Sequence, residues 1–104
     1  MTDIDISKLR QAIVEDGDED YTGLYEIIWS LNTHYPDIAR DAKVAAARGI
    51  ALDLLREGRI SLYTTRWASN KYDPIPSTEA TQLVESAEAW DDPGDDPYVC
   101  YATP

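Results

Sequence analysis

The sequence predicts an α+β domain of four helices and a small antiparallel sheet. Four segments repeat apolar residues at helical spacing, and two others, residues 59–67 and 98–103, are rich in β-branched and aromatic residues. The 104 residues, 43% of them hydrophobic, suffice for one modest core. Because no repeat or long linker divides the chain, we expect residues 1–104 to form a single compact domain with acidic N- and C-terminal segments.

The first two predicted helices are separated by an acidic segment. Ser7 can cap a first helix, whose apolar stripe ends near Gly17. Residues 15–20 are then predicted to form a solvated acidic loop. Thr22 can cap a second helix, which stops before Pro36 because proline disfavours helix in the residue that precedes it.

The third predicted helix is the longest. Asp37 can cap it, and Gly58 fits the position just after its C-terminus, where glycine favours the left-handed conformation. Gly49 lies inside this segment, where glycine costs about 1 kcal/mol relative to alanine. It therefore indicates either close packing or a break into two shorter helices, and the sequence leaves both open.

The remaining elements are two strands and a fourth helix. Residues 59–67 alternate apolar and polar and predict a strand, followed by a turn and an extended segment. Ser77 or Thr78 can cap a helix that continues to Trp90. Residues 98–103 predict a second strand, and since a lone strand is unstable, we expect it to pair antiparallel with residues 60–66.

This order of elements resembles the winged helix-turn-helix domains. The resemblance covers about residues 22–67: two apolar helical segments, a leucine-rich helix end at Leu54-Leu55, then Gly58 and a strand from Ile60. It implies a winged-helix-like fold and, as one possible function, a regulator that binds DNA. The basic residues that would contact DNA under this hypothesis are Arg40, Lys43, Arg48, Arg59 and Arg66.

Charge is segregated along the chain. Residues 1–20 carry seven acids and two bases, residues 21–72 five acids and seven bases, and residues 73–104 eight acids and no base, which gives the net charge of −11. Dense carboxylates attract basic partners at long range. We therefore expect a small acidic interaction protein that binds a basic macromolecule, preferably a protein, as inhibitors, immunity proteins and antitoxins do, rather than nucleic acid or membrane. The acidic surface is predicted to comprise Asp16, Asp18, Glu19, Asp20, Asp91, Asp92, Asp95 and Asp96.

The aromatic composition is also unusual. Seven tyrosines and three tryptophans are present, but no phenylalanine. Every ring therefore carries a polar group that needs water or a hydrogen-bond partner. This suits the rim of a small core, which we expect for most of these rings, and it also suits a binding surface.

Catalysis, metal binding and cofactors are not predicted. An EF-hand loop that begins at Asp16 would need glycine at its sixth position and glutamate at its twelfth, where Tyr21 and Ile27 stand. His34 and Cys100 are the only histidine and cysteine, and no glycine-rich phosphate loop accompanies them. We expect no catalytic residue, no metal ligand and no cofactor, and a metal-dependent helix-loop-helix module around residues 16–20 is the third alternative.

The expected location is the cytoplasm. The single cysteine excludes an intrachain disulfide, and the first residues lack a signal-peptide pattern. No apolar run approaches the ~20 residues of a membrane span.

Overall fold

Four helices and four short strands make up the part of the chain that the computed structural model describes, residues 4–94 and 97–104. The elements are α1 (Ile6–Glu19), β1 (Thr22–Gly23), α2 (Leu24–His34), α3 (Arg40–Arg56), β2 (Ser61–Thr65), β3 (Asp73–Pro74), α4 (Ser77–Glu85) and β4 (Tyr98–Ala102). A 3₁₀ turn, Ala87–Trp90, lies between α4 and β4. The predicted α+β class, with four helices and an antiparallel sheet, is confirmed.

Helix α1 starts earlier and ends later than predicted. Asp5, not Ser7, is the N-cap, because its carboxylate accepts a hydrogen bond from the Lys8 amide at 3.1 Å. The helix continues to Glu19, so the prediction of an acidic loop over residues 15–20 was wrong. The reason is tertiary: Gly17 is buried against Tyr101, whose ring carbon would lie 2.9 Å from an added Cβ. The Thr103 amide donates to the Gly17 carbonyl at 3.2 Å.

The predicted caps of α2 and α3 were also wrong. Thr22 lies in β1, and its hydroxyl donates to the Asp16 carbonyl at 3.3 Å. Gly23 is the N-cap of α2, and its amide donates to the Glu26 carboxylate at 2.6 Å. Helix α3 begins after Ala39 rather than Asp37, and no side chain caps it.

Helix α3 is unbroken. It passes through Gly49, which is exposed, and a Cβ added there would meet no described atom within 4 Å. Both predicted explanations of Gly49, close packing and a break, were therefore wrong. Gly58 does end the helix as predicted, with φ of +70°. The Arg59 amide donates to the Leu54 carbonyl at 2.9 Å, which completes a Schellman motif.

The sheet has the order β1-β4-β2-β3, with every pair antiparallel. Strand β4 pairs with β2 from Ser61↔Ala102 to Thr65↔Tyr98, which confirms the predicted pairing. The other side of β4 pairs with β1, a two-residue strand too short to show a sequence pattern. The fourth helix ends at Glu85 instead of Trp90, because the backbone is extended at Ser86.

The two faces of the sheet have different surroundings. Neighbouring residues of a strand point to opposite faces. Leu62 and Tyr101 face the helices and belong to the core cluster, and the Tyr101 hydroxyl donates to the Ile13 carbonyl at 2.9 Å. Their neighbours Tyr63 and Cys100, which are paired with each other, point the other way. We call these the inner and the outer face.

Candidate interaction surface

The first predicted acidic cluster lies at the end of α1. Asp16, Asp18, Glu19 and Asp20 are all exposed. The Asp18 carboxylate accepts a hydrogen bond from the Thr103 hydroxyl, and that of Asp20 accepts one from the Tyr21 amide at 2.7 Å. The end of β4 therefore holds part of this cluster in place.

The second predicted cluster follows the 3₁₀ turn. Asp91 and Asp92 are exposed, whereas Asp95 and Asp96 lie outside the described residues. Asp91 forms an ion pair with Arg40 at 2.5 Å, and the Asp92 carboxylate accepts from the Gly94 amide at 3.0 Å. Both aspartates line a shallow groove that Tyr98 also borders.

The five basic residues of the DNA-binding hypothesis have different environments. Arg40 is paired with Asp91, and Lys43 is only 4% exposed, with its Nζ 2.9 Å from the Asn32 Oδ1. Arg48 is half-buried, and its Nε has no hydrogen-bond partner among the described residues. Arg59 and Arg66 are exposed. Two of the five cations are thus engaged by other side chains of the protein.

Aromatic rings cover the outer face of the sheet, and the sequence did not predict this grouping. The Tyr21 ring stacks on that of Tyr72, with centroids 3.7 Å apart, and meets Tyr63 edge-on at 5.1 Å. These three tyrosines come from the α1–β1 connection, from β2 and from the segment before β3. The register of β2 and β3 brings Tyr63 and Tyr72 together, and the pairing of β1 with β4 places Tyr21 beside them.

A second group of rings continues this surface. Tyr25 meets Trp29 edge-on at 4.9 Å and Tyr98 at 5.3 Å. Tyr98 shares the outer face because it lies two positions from Cys100 on β4. We define the aromatic face as Tyr21, Tyr25, Trp29, Tyr63, Tyr72 and Tyr98. Its most exposed rings are Tyr21, at 39%, and Trp29, at 52%.

Carboxylates border the aromatic face on both sides. Burial raises the pKa of Tyr72, and the Asp20 carboxylate raises it further. Burial raises the pKa of Tyr25 to about 12, with smaller contributions from Glu26, Tyr98 and Asp92. Tyr25 and Tyr72 are therefore neutral phenols at physiological pH. One carboxylate from each predicted acidic cluster, Asp20 from the first and Asp92 from the second, contributes to these raised pKa values.

Cys100 lies on the same face as these rings, with its thiol buried and protonated at neutral pH. It is 1% exposed, and burial raises the pKa of its thiol to about 12, with Glu26 and Asp20 contributing in the same direction. A nucleophilic cysteine requires the thiolate. His34 is exposed at the end of α2, with its Nδ1 2.8 Å from the Ser30 carbonyl.

Residues 4–94 and 97–104 contain neither a candidate metal site nor a helix that could cross a membrane. Within these ranges, no group of three or more histidine, cysteine, aspartate or glutamate residues is arranged to hold a metal ion. None of the helices in the same ranges combines the length and the apolar character needed to cross a membrane.

Comparisons of the chain with protein-family models, with curated proteins and with solved structures found no match. The resemblance to winged helix-turn-helix domains therefore stays a prediction.

Proposed function

We propose that this chain is a small, non-enzymatic interaction protein that binds a basic macromolecular partner, preferably a protein, in the manner of an inhibitor, immunity protein or antitoxin. The observation that carries the proposal is the charge distribution. Residues 73–104 hold eight acids and no base within a chain of net charge −11. A field of this sign attracts cationic partners and repels nucleic acid.

The predicted acidic residues are accessible to such a partner. All six that lie within the described ranges are exposed, and they occupy two separate places, the end of α1 and the segment after the 3₁₀ turn. Exposed charges at an interface mainly accelerate association and discriminate between partners, and salt screens them. We therefore expect fast, salt-sensitive binding.

The alternative is a winged-helix regulator that binds DNA through Arg40, Lys43, Arg48, Arg59 and Arg66. Affinity for duplex DNA comes chiefly from cations that neutralise phosphates. The ion pair between Arg40 and Asp91 and the burial of Lys43 lower the number of cations available for this role. These contacts favour the protein partner.

The deciding experiment compares salt dependence. A partner is captured from native-host lysate at low salt and purified, and its association with the protein is then measured across salt concentrations. The test variant replaces Asp91, Asp92, Asp95 and Asp96 with asparagine. We expect slower association and a flatter salt dependence, because the neutralised charges no longer steer the partner.

A matched control removes four negative charges elsewhere, by Asp37→Asn, Asp73→Asn, Glu79→Gln and Glu85→Gln, all at exposed positions. It should retain more of the association rate than the test variant. Random duplex DNA is titrated in parallel. Submicromolar duplex binding by the wild type at ordinary salt would contradict the proposal and support the winged-helix alternative.

A further inference from the structure

The aromatic face is more than a cover for the sheet. Its rings come from five separate segments of the chain, and two of them, Tyr21 and Trp29, keep 39% and 52% of their surface exposed. Exposed aromatic rings beside carboxylates are a typical environment for cationic side chains. We propose that the aromatic face, with the carboxylates of Asp20, Glu26 and Asp92, binds arginine side chains of an extended segment of the basic partner.

This inference deepens the proposed function and rests on it. The proposed function requires only an acidic surface, whereas the inference assigns the contact to particular rings and to one cationic side chain. The two fail separately, because ring substitutions leave the net charge unchanged.

The carboxylates at the border are held in position by backbone amides. Asp20 accepts from the Tyr21 amide at 2.7 Å, Glu26 from the Gly23 amide at 2.6 Å and Asp92 from the Gly94 amide at 3.0 Å. Each of these bonds uses one carboxylate oxygen, and each carboxylate has a second one. A guanidinium group can therefore donate to a carboxylate that is already oriented, which lowers the entropy lost on binding.

The chemistry favours arginine over lysine. A guanidinium group is planar, so that it can stack on a ring and donate to a carboxylate in the same plane, whereas an ammonium group is a compact, strongly hydrated charge. Cation–π contacts at exposed rings contribute a factor of about 2–5 in affinity for each ring.

The same chemistry disfavours nucleic acid on this face. Aromatic rings can stack on bases, but single-strand binding surfaces combine such rings with cations that follow the phosphates. Here the groups beside the rings are carboxylates. The Asp20 carboxylate raises the pKa of Tyr72, and the Asp92 carboxylate raises that of Tyr25. The aromatic face therefore lies between the two acidic clusters.

The test uses octa-arginine and octa-lysine as probes, with binding measured by calorimetry at low and at physiological salt. We expect the wild type to bind octa-arginine several-fold more tightly than octa-lysine. In the double variant Tyr21→Ala/Trp29→Ala, affinity for octa-arginine should fall about 5–20-fold, while affinity for octa-lysine changes less. Trp67→Ala is the matched control, because Trp67 is 70% exposed and lies outside the aromatic face.

A second measurement does not depend on the folding of any variant. The wild type has three tryptophans, and each gives one indole N–H signal in a ¹⁵N-correlated NMR spectrum. During titration with octa-arginine, the Trp29 signal should shift, whereas those of Trp67 and of the buried Trp90 should stay in place. The conservative double variant Tyr21→Phe/Trp29→Phe keeps an aromatic ring at both positions, although it replaces the indole by a smaller phenyl ring, and it should retain most of the affinity.

Three outcomes would overturn the inference. If both peptides bind equally and the ring variants bind like the wild type, the aromatic face is not the contact, although the proposed function stands. If neither peptide binds and duplex DNA does, both proposals fail. A shift of the Trp67 signal alone would also place the contact elsewhere.

Discussion

Strand β4 carries two tyrosines, Tyr98 and Tyr101, that have the same side chain but very different surroundings. Tyr101 lies on the inner face, fully buried, with its hydroxyl bonded to the Ile13 carbonyl. Tyr98 lies on the outer face, half-buried against Tyr25. The inner ring packs against Gly17 of α1 and its hydroxyl is bonded to Ile13, whereas the outer ring meets the ring of Tyr25 and stays partly exposed. The comparison teaches that the inner face belongs to the core, whereas the outer face leaves aromatic surface exposed.

Removal of β4 should have the largest effect on stability, because this strand contributes residues to both faces of the sheet. Deletion of residues 97–104 takes away the strand between β1 and β2 and exposes two sheet edges. We expect a strongly lowered melting temperature and a loss of cooperative unfolding, measured by circular dichroism. A melting temperature within a few degrees of the wild type would refute the observed strand order.

Substitution of the inner tyrosine should cost more than substitution of the outer one. Tyr101→Ala leaves a cavity under α1 and should lower the free energy of unfolding by about 3–5 kcal/mol. Tyr101→Phe removes only the hydroxyl bond to Ile13 and should cost about 1 kcal/mol. Denaturant unfolding measures both. If Tyr98→Ala lowers the free energy of unfolding as much as Tyr101→Ala does, the expected difference between the two faces is wrong.

Alkaline pH should weaken the protein through the outer face. The pKa of the Cys100 thiol is raised from 9.0 to about 12, so the unfolded chain loses this proton more easily than the folded one. The associated stability is therefore present below pH 9 and is lost as pH rises toward 12. Because the pKa of Tyr25 is also raised, its ionisation in the unfolded chain lowers stability at alkaline pH in the same way.

Denaturant unfolding at pH 8, 9.5 and 10.5 checks this expectation. The free energy of unfolding should decline across the series, and it should decline less steeply in Cys100→Ala, which has no thiol to ionise. An equal slope in both proteins would mean that Cys100 is not buried as described.

The smallest expected effect on stability is that of Tyr21→Ala. The ring is partly exposed and its stacking on Tyr72 contributes about 0.5–1.5 kcal/mol. The melting temperature should therefore fall by only a few degrees. A loss of stability as large as that of Tyr101→Ala would mean that Tyr21 belongs to the structural core and is not an exposed part of the aromatic face.

The types of element could be predicted from the sequence because helical and strand periodicities are local. The boundaries could not, since Asp5 and Ser7 are both good caps and only the bond to Lys8 decides between them. The sequence pattern predicts a loop at Gly17 and a helix at Gly49, although both glycines lie within helices. Their surroundings differ because Tyr101, which is distant from both in the sequence, packs against Gly17, whereas a Cβ added at Gly49 would meet no described atom within 4 Å.

The same limit applies to the candidate site. The acidic clusters are short segments and could be read directly, but the ion pair of Asp91 with Arg40 joins residues 51 positions apart. The aromatic face depends on strand pairing and register, and the sequence predicted only that β2 pairs with β4. The composition, rich in tyrosine and without phenylalanine, was the one available signal.

The position of β4 within the sheet affects how the chain folds during synthesis. All four helices and the other three strands leave the ribosome before β4 does, yet β1 and β2 meet only through it. The Tyr101–Ile13 bond spans 88 positions, so its loop must close before the core is sealed. Until then, the inner surfaces of α1 and β2 are exposed to other hydrophobic chains, and the nascent protein is open to aggregation and to chaperone binding.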